Sequence, residues 1–355
     1  MMFMTRKPAS IRFVSSRGLL PSLWLLLSLW LLAGCDTQTP AEDPGEAPDP
    51  DPAANECEDL RFTAPGGETD AALTGKILFS SRRTGRWQLY TMKPDGSEQR
   101  QLTFFRDHFA DTGRWSPDGA RIVFTSDSLG STAGTPLYLM EADGSDIRPL
   151  KVLRVIDDDP LLQPGNFPTW SPDGNRIAFT HCLNCEGGGA NQEIMMYDFM
   201  NDDVINLSSN VSIDEKASWS PDGDRIVFIS GRDAENSSNY FKELYIMDVE
   251  IEIQDRLTFE RAIANMPIWS PNGEWIAFAL DGRLRLFHLD CNAIVPINVV
   301  VPNELLPTPV AWSPDGSKLL VVSSELGLYL VDVAREEITP LLEGDEVFFA
   351  DWSRP

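Results

Sequence analysis

Residues 114–126 read RWSPDGARIVFTS, and the phrase returns as TWSPDGNRIAFTH from Thr169, SWSPDGDRIVFIS from Ser218, IWSPNGEWIAFAL from Ile268 and AWSPDGSKLLVVS from Ala311. A truncated copy runs Asp351-Trp352-Ser353-Arg354-Pro355. The motif tryptophans stand at 115, 170, 219, 269, 312 and 352, so the repeat interval is 40 to 55 residues. A unit of that length cannot cover its own apolar faces, so neighbouring units must pack against one another.

Every unit reads alike. A short strand ends in Trp, and Ser-Pro-Asp-Gly then reverses the chain, because Pro presets φ at the first corner and Gly accepts positive φ. An apolar strand such as 121–124 follows, read with period-two alternation. Third strands are expected at 137–140, 194–197, 244–247, 284–287 and 328–331, and fourth strands at 147–150, 204–207, 255–257, 294–297 and 338–341. Ahead of the first full motif, 76–79, 88–92 and 100–103 match strands two, three and four of a unit lacking its first strand, which 347–352 can supply. The expected fold is all-β: a six-bladed β-propeller of four-stranded antiparallel blades over residues 76–355, closed by the C-terminal strand joining the N-terminal blade.

The WSPDG turn and its Ile-x-Phe strand resemble the WD40-like bacterial propeller repeats of the TolB family. So do Leu89-Tyr90-Thr91-Met92, Gln101-Leu102-Thr103 and Leu244-Tyr245-Ile246-Met247-Asp248. The resemblance covers residues 76–355. It implies a propeller and, by analogy with TolB, contacts with protein partners. TolB carries an α/β domain before its propeller, and residues 35–75 do not resemble one.

At the N-terminus, Arg6, Lys7, Arg12 and Arg17 precede an apolar run over 19–34, the layout of a secretory signal. Leu32-Ala33-Gly34-Cys35 resembles the bacterial lipobox, which makes residues 1–34 a lipoprotein signal peptide and Cys35 the lipidated mature N-terminus. Residues 35–75 form a Pro/Asp/Glu-rich tether and lead-in segment with no apolar face to bury. The expected location is extracytoplasmic and membrane-anchored, on the periplasmic or cell-surface side of a bacterial envelope. Two or more acyl chains, at about 0.8 kcal/mol per buried CH₂, give stable attachment.

The chain has 54 acidic against 29 basic residues, a net charge of −25, and loses four more positive charges with the signal. No cationic stripe offsets these carboxylates, which excludes nucleic acid as a partner. A basic protein or peptide is expected instead, bound by a monomer.

The motif residues Asp118, Asp173, Asp222, Asn272 and Asp315 sit in separate units, so they read as turn formers rather than ligands of one ion. The motif tryptophans read as inter-blade packing. With Cys35 lipidated, four cysteines remain for an exported protein. Strand direction puts Cys182 and Cys185 on one face of the ring, and Cys291 on the face where the chain enters, giving the pairs Cys182 to Cys185 and Cys57 to Cys291. The order His181-Cys182-Leu183-Asn184-Cys185 fits neither a haem motif nor a paired zinc motif. No Gly-x-Ser-x-Gly elbow is present, and His108, His181 and His288 lie in different units, so no enzyme is expected.

Binding is expected at the loops that join one blade to the next around the axis. Their candidate residues are Asp107, His108, Asp111, Asp157, Asp158, Asp159, Asp214, Glu215, Asn265, Glu304 and Asp345. The leading reading is a lipid-anchored, non-enzymatic protein-interaction module. The alternative is a small-molecule or glycan-binding protein, or a hydrolase or lyase, using the same acidic funnel. No cofactor is expected, with calcium as a further candidate for the acidic mouth.

Overall fold

A computed structural model describes residues 57, 60–64, 73–127, 136–150, 165–182, 191–233, 241–299, 307–323 and 327–355. Their regular structure is entirely β, in six four-stranded sheets. Blade 1 runs from the axis outward as β24 (Val347–Trp352), β1 (Ile77–Ser81), β2 (Gln88–Met92) and β3 (Arg100–Gln101). Blade 2 is β4 (Asp111–Trp115), β5 (Arg121–Thr125), β6 (Leu137–Glu141) and β7 (Arg148–Pro149). Blade 3 is β8 (Asn166–Trp170), β9 (Arg176–Cys182), β10 (Gln192–Asp198) and β11 (Asp203–Asn206). Blade 4 is β12 (Asp214–Trp219), β13 (Arg225–Ser230), β14 (Glu243–Asp248) and β15 (Gln254–Arg256). Blade 5 is β16 (Ala264–Trp269), β17 (Trp275–Leu280), β18 (Arg283–His288) and β19 (Ala293–Pro296). Blade 6 is β20 (Thr308–Trp312), β21 (Lys318–Ser323), β22 (Gly327–Asp332) and β23 (Glu337–Glu343).

The ring closes as the repeat arithmetic requires. Strand β24 pairs antiparallel with β1, Ile77 opposite Trp352 and Leu78 opposite Asp351. Trp352 Nε1 donates to the Thr74 carbonyl at 2.8 Å, and Ser353 Oγ accepts from the Lys76 N–H at 2.8 Å.

The second strands depart from period-two alternation. Strand β1 is buried at every position, and β13 and β21 at all but the first, because each blade has a neighbour on both faces. The core is accordingly divided between blades. One cluster joins Ile194 and Met196 of blade 3 to Trp219, Ile226 and Phe228 of blade 4, and another joins Ile77 and Phe79 of blade 1 to Val310 and Leu320 of blade 6. The outermost strands are shorter than expected in blades 1 and 2 and longer in blade 6. The residue after each of several outer strands turns inward. Leu102, Leu150 and Leu207 are buried and Leu257 is partly buried, and each N–H reaches a third-strand carbonyl at 2.8 Å.

The WSPDG turns are built alike. In the first, the Gly119 N–H meets the Ser116 carbonyl at 2.8 Å, Ser116 Oγ donates to Asp118 at 2.5 Å, and Asp118 accepts from the Ala120 N–H at 3.0 Å. The Asp is thus spent on the turn, and its Gly has φ 66°.

The residue after the turn reaches the next blade. Arg121 lies over the Trp170 ring at 4.9 Å, Arg176 over Trp219 at 5.0 Å and Arg225 over Trp269 at 5.1 Å. Blade 5 carries Trp275 at this position, and Phe62 of the lead-in segment fills the gap. Its ring is 5.8 Å from Trp275 and 5.6 Å from Trp312. A Cys57–Cys291 disulfide holds the segment there, joining residues 234 apart in sequence.

Candidate functional site

Each innermost strand breaks its pairing with the second strand once, between Asp111 and Arg114, Asn166 and Thr169, Glu215 and Ser218, Asn265 and Ile268, and Pro309 and Ala311. Blade 1 breaks between Phe79 and Ser81. In four blades the residue three before Trp takes positive φ: Thr112 46°, Phe167 52°, Lys216 59° and Met266 48°. A bulge of this kind re-aims side chains, here around the axis.

Those side chains meet across the ring. Phe167 lies 6.5 Å from Phe349, Lys216 lies over Phe167 at 5.2 Å, and Arg114 lies over Phe349 at 4.4 Å. Lys216 Nζ donates to Asn265 Oδ1 at 2.6 Å, and burial pushes its ammonium below the usual lysine range. Arg114 reaches the Val310 carbonyl at 2.8 Å and Asp351 at 2.9 Å. Met266, Val310 and Phe349 belong to one buried cluster against which Phe167 packs.

By strand direction, the inter-blade loops border one mouth of the axis and the WSPDG turns the other. At the loop mouth the expected rim residues divide. Asp107 is exposed, and His108 sits 3.6 Å from Asp127. Asp345 pairs with Arg83 at 2.8 Å, and Asn265 holds Lys216. Asp214 is not a rim group: its side chain is fully buried and bonded to Arg232 at 2.8 Å. Glu215 is buried and paired with Lys242. Asp111 is buried too, accepting from the Thr112 N–H at 2.6 Å, and desolvation lifts its pKa to about 6 against hydrogen bonding from Ser80 and Thr112. All three stand at the opening of a first strand and spend their carboxylates on neighbouring groups: Arg232 for Asp214, Lys242 for Glu215, and Ser80 with the Thr112 N–H for Asp111. Asp157, Asp158, Asp159 and Glu304 lie outside the described residues, as do Cys35 and Cys185. Cys182 is disulfide-bonded.

The loops at this mouth are held by buried polar groups at the start of the third strands. Glu193 takes hydrogen bonds from Ser208 and from the Asn210 N–H at 3.1 Å. Glu243 takes them from Thr258 and from the Arg261 N–H at 2.7 Å, and Gln88 accepts from the Phe105 N–H at 3.1 Å. Thr103, Ser208 and Thr258 each accept a third-strand N–H at 2.9 to 3.0 Å. The Leu-Thr or Leu-Ser ending of the fourth strand is therefore a bracket that fixes where the following loop begins. Among the described residues, no group of three His, Cys, Asp or Glu side chains is placed to hold a metal ion.

At the other mouth lies a cavity of about 200 Å³ lined by all six motif tryptophans and the five motif prolines, with Arg114, Asp351 and Arg354. Sequence reasoning missed Arg114 and Asp351. Their position one residue before Trp is the signal that could have found them, once the bulge is known.

These features define a six-bladed β-propeller built from WSPDG repeats, with a stoppered axis and two unlike mouths. No protein-family model matches the chain. Its fold matches TolB from Acinetobacter baumannii with a TM-score of 0.62 and 21% identity, over 80% of this chain and 67% of that one. It matches a putative TolB from Agrobacterium tumefaciens with a TM-score of 0.55 and 17% identity, over 80% of this chain and 99% of that one. The chain is also 26% identical over 173 residues, 47% of its length, to the Bacillus subtilis (strain 168) protein called uncharacterized peptidase YuxL. It spans 21% of that relative. The structural likeness is one of fold.

Proposed function

We propose that this chain is a lipid-anchored, extracytoplasmic propeller that binds a protein or peptide partner through the loop mouth and does no covalent chemistry. The observation that carries the reading is the bracketed loop mouth, where buried Gln88, Glu193 and Glu243 fix the loops that follow blades 1, 3 and 4 while Asp107 and His108 stay accessible. A rigid scaffold presenting variable loops is the usual arrangement for recognition. TolB-like neighbours support a propeller of the interaction kind, and the Cys57–Cys291 disulfide fits an oxidising compartment. The net charge of −25 selects a basic partner. A second reading, a propeller that serves a hydrolase, is favoured by the name of the Bacillus relative.

The test is a pull-down from envelope extract with the mature domain, alongside a variant carrying Asp157→Ser, Asp158→Ser and Asp159→Ser. A partner retained by the wild type and lost by the folded variant supports the reading, and equal capture by both removes it from this mouth. Metabolic labelling with radioactive palmitate tests the anchor: label should enter the wild type and be absent from Cys35→Ser.

A further inference from the structure

The loop that joins blade 3 to blade 4 brings oxygen atoms face to face. Asn191 turns its Oδ1 toward the Asn210 carbonyl at 3.0 Å, the Ser212 carbonyl at 3.1 Å and Glu193 Oε1 at 3.1 Å. Four acceptors in contact repel one another unless something positive lies among them. Turning the amide over would bring two hydrogens to three acceptors, and would still leave the charge of Glu193 where it is.

The charges at this junction are unbalanced. Glu193 and Asp214 are both buried and both bonded to Asn210, Glu193 through the N–H at 3.1 Å and Asp214 through the side-chain amide. Arg232 meets Asp214 at 2.8 Å, whereas Glu193 has no ion-pair partner among the described residues. Burial raises the pKa of both carboxylates, and the Asp214 charge adds to the rise at Glu193. The repeat itself does not demand this arrangement. At the position of Glu193, blade 1 has the neutral Gln88, and blade 4 has Glu243, which Arg256 meets at 3.1 Å. Five residues before the motif tryptophan, where blade 4 has Asp214, blades 1, 2 and 5 have Val347, Ala110 and Ala264. Two buried carboxylates served by one arginine are costly, and turn and strand chemistry leave them unexplained.

We propose that the junction of blades 3 and 4 is a calcium site. Asn191 Oδ1, Glu193 Oε1 and the carbonyls of Asn210 and Ser212 are its protein ligands, with Asp214 beside them as a second negative charge. Oxygens that share one calcium at about 2.3–2.6 Å lie about 3 Å from one another, which is the spacing found here. An all-oxygen set of carboxylate, amide and carbonyl suits calcium, whereas zinc calls for nitrogen or sulfur and magnesium keeps several waters of its own. Asn191, Asn210 and Ser212 are half-buried, which leaves the ion a way in and room for water in its shell. The ion ties the start of the third strand of blade 3 to the loop that follows that blade. It binds whether or not a protein partner does, so this proposal and the partner reading can fail separately.

The test is calorimetric titration of the full chain, first cleared of metal with EGTA, with calcium chloride and with magnesium chloride. The expected result is one calcium per chain with a Kd of about 10 µM to 1 mM, magnesium at least about tenfold weaker, and a melting temperature at least about 3 °C higher in saturating calcium. Glu193→Gln keeps the acceptor that Gln88 supplies in blade 1, so it should fold, and it should bind calcium at least about tenfold more weakly. Asn191→Asp separates a bound cation from a donating amide. It should bind calcium about tenfold more tightly and regain in calcium the stability it loses in EGTA, whereas a variant that melts equally low in both overturns the proposal. Absence of saturable binding up to about 5 mM calcium overturns it as well. So does calcium binding undiminished in Glu193→Gln, which assigns the ion to other acidic groups.

Discussion

Arg114 and Asp351 are 237 positions apart in the chain and 2.9 Å apart in the structure, joining the innermost strands of blades 2 and 1. The pair does two things at once. It locks the closing strand to a blade other than its own, and it forms part of the wall of the tryptophan-lined cavity. Replacing Asp351 with Ala leaves the partly buried guanidinium and the Trp115 N–H without this partner, a loss of about 2–4 kcal/mol. Thermal unfolding should show a melting temperature lower by about 5–10 °C. Deleting residues 346–355 removes the whole strand and should lower it much further, whereas an unchanged melt would mean that β24 does not close the ring.

The lead-in segment should behave as a staple. Phe62 stands between Trp275 and Trp312, and Cys57 is bonded to Cys291. Phe62→Ala should cost about 1–3 kcal/mol. Constraining so long a loop contributes up to about 5 kcal/mol in the chain-entropy model. Cys57→Ser should therefore melt lower than wild type and lose most of its sensitivity to reductant, the remainder belonging to the Cys182 bridge. Equal melts for the two proteins in oxidising buffer would refute the staple.

Asp111 gives a pH dependence of definite sign. Its pKa, raised by burial to about 6, lies above the ordinary value near 3.9, so the folded protein binds this proton more tightly than the unfolded chain. Its ionisation destabilises above about pH 6, by at most about 3 kcal/mol, and that loss is recovered as pH falls toward about 4. Asp111→Asn should melt higher than wild type at pH 8 and match it near pH 4. Melting curves that stay parallel across this range would exclude the assignment.

Asp118 should act the opposite way. The Ser116 hydroxyl, followed by the Ala120 N–H, holds its pKa below the usual carboxylate range. A depressed folded pKa stabilises above about pH 4 and the contribution fades as pH drops below it. Asp118→Ala should cost about 1 kcal/mol at pH 7, after allowing for solvent screening of an exposed group. Urea titrations at pH 7 and pH 3 should show that deficit shrinking, and a deficit that persists at pH 3 would assign the loss to backbone conformation instead.

The repeat carried most of the fold on its own. WSPDG is legible because Pro and Gly fix the turn through their own backbone limits, and its recurrence counts blades without any knowledge of contacts. The closing strand was legible for the same reason, since a unit lacking its first strand and a surplus first strand must meet. The rim was less so. Asp214, Glu215 and Asp111 look like a solvated acidic border in a one-dimensional reading, yet they are buried, because folding brings Arg232 to Asp214, Lys242 to Glu215 and Ser80 to Asp111 from positions distant in sequence.

What the sequence by itself determined is periodic and local: turn chemistry, strand order, blade number and the acidic character of the chain. What only the tertiary structure decided is which side chains from distant repeats share the axis. One bulge per innermost strand turns Phe167, Lys216 and Met266 to positive φ and draws Arg114 to Asp351, stoppering the channel and leaving a tryptophan-lined cavity beyond the stopper. A bulge is a property of two paired strands rather than of either sequence, and a cavity belongs to all six blades together, so neither is written in any single repeat.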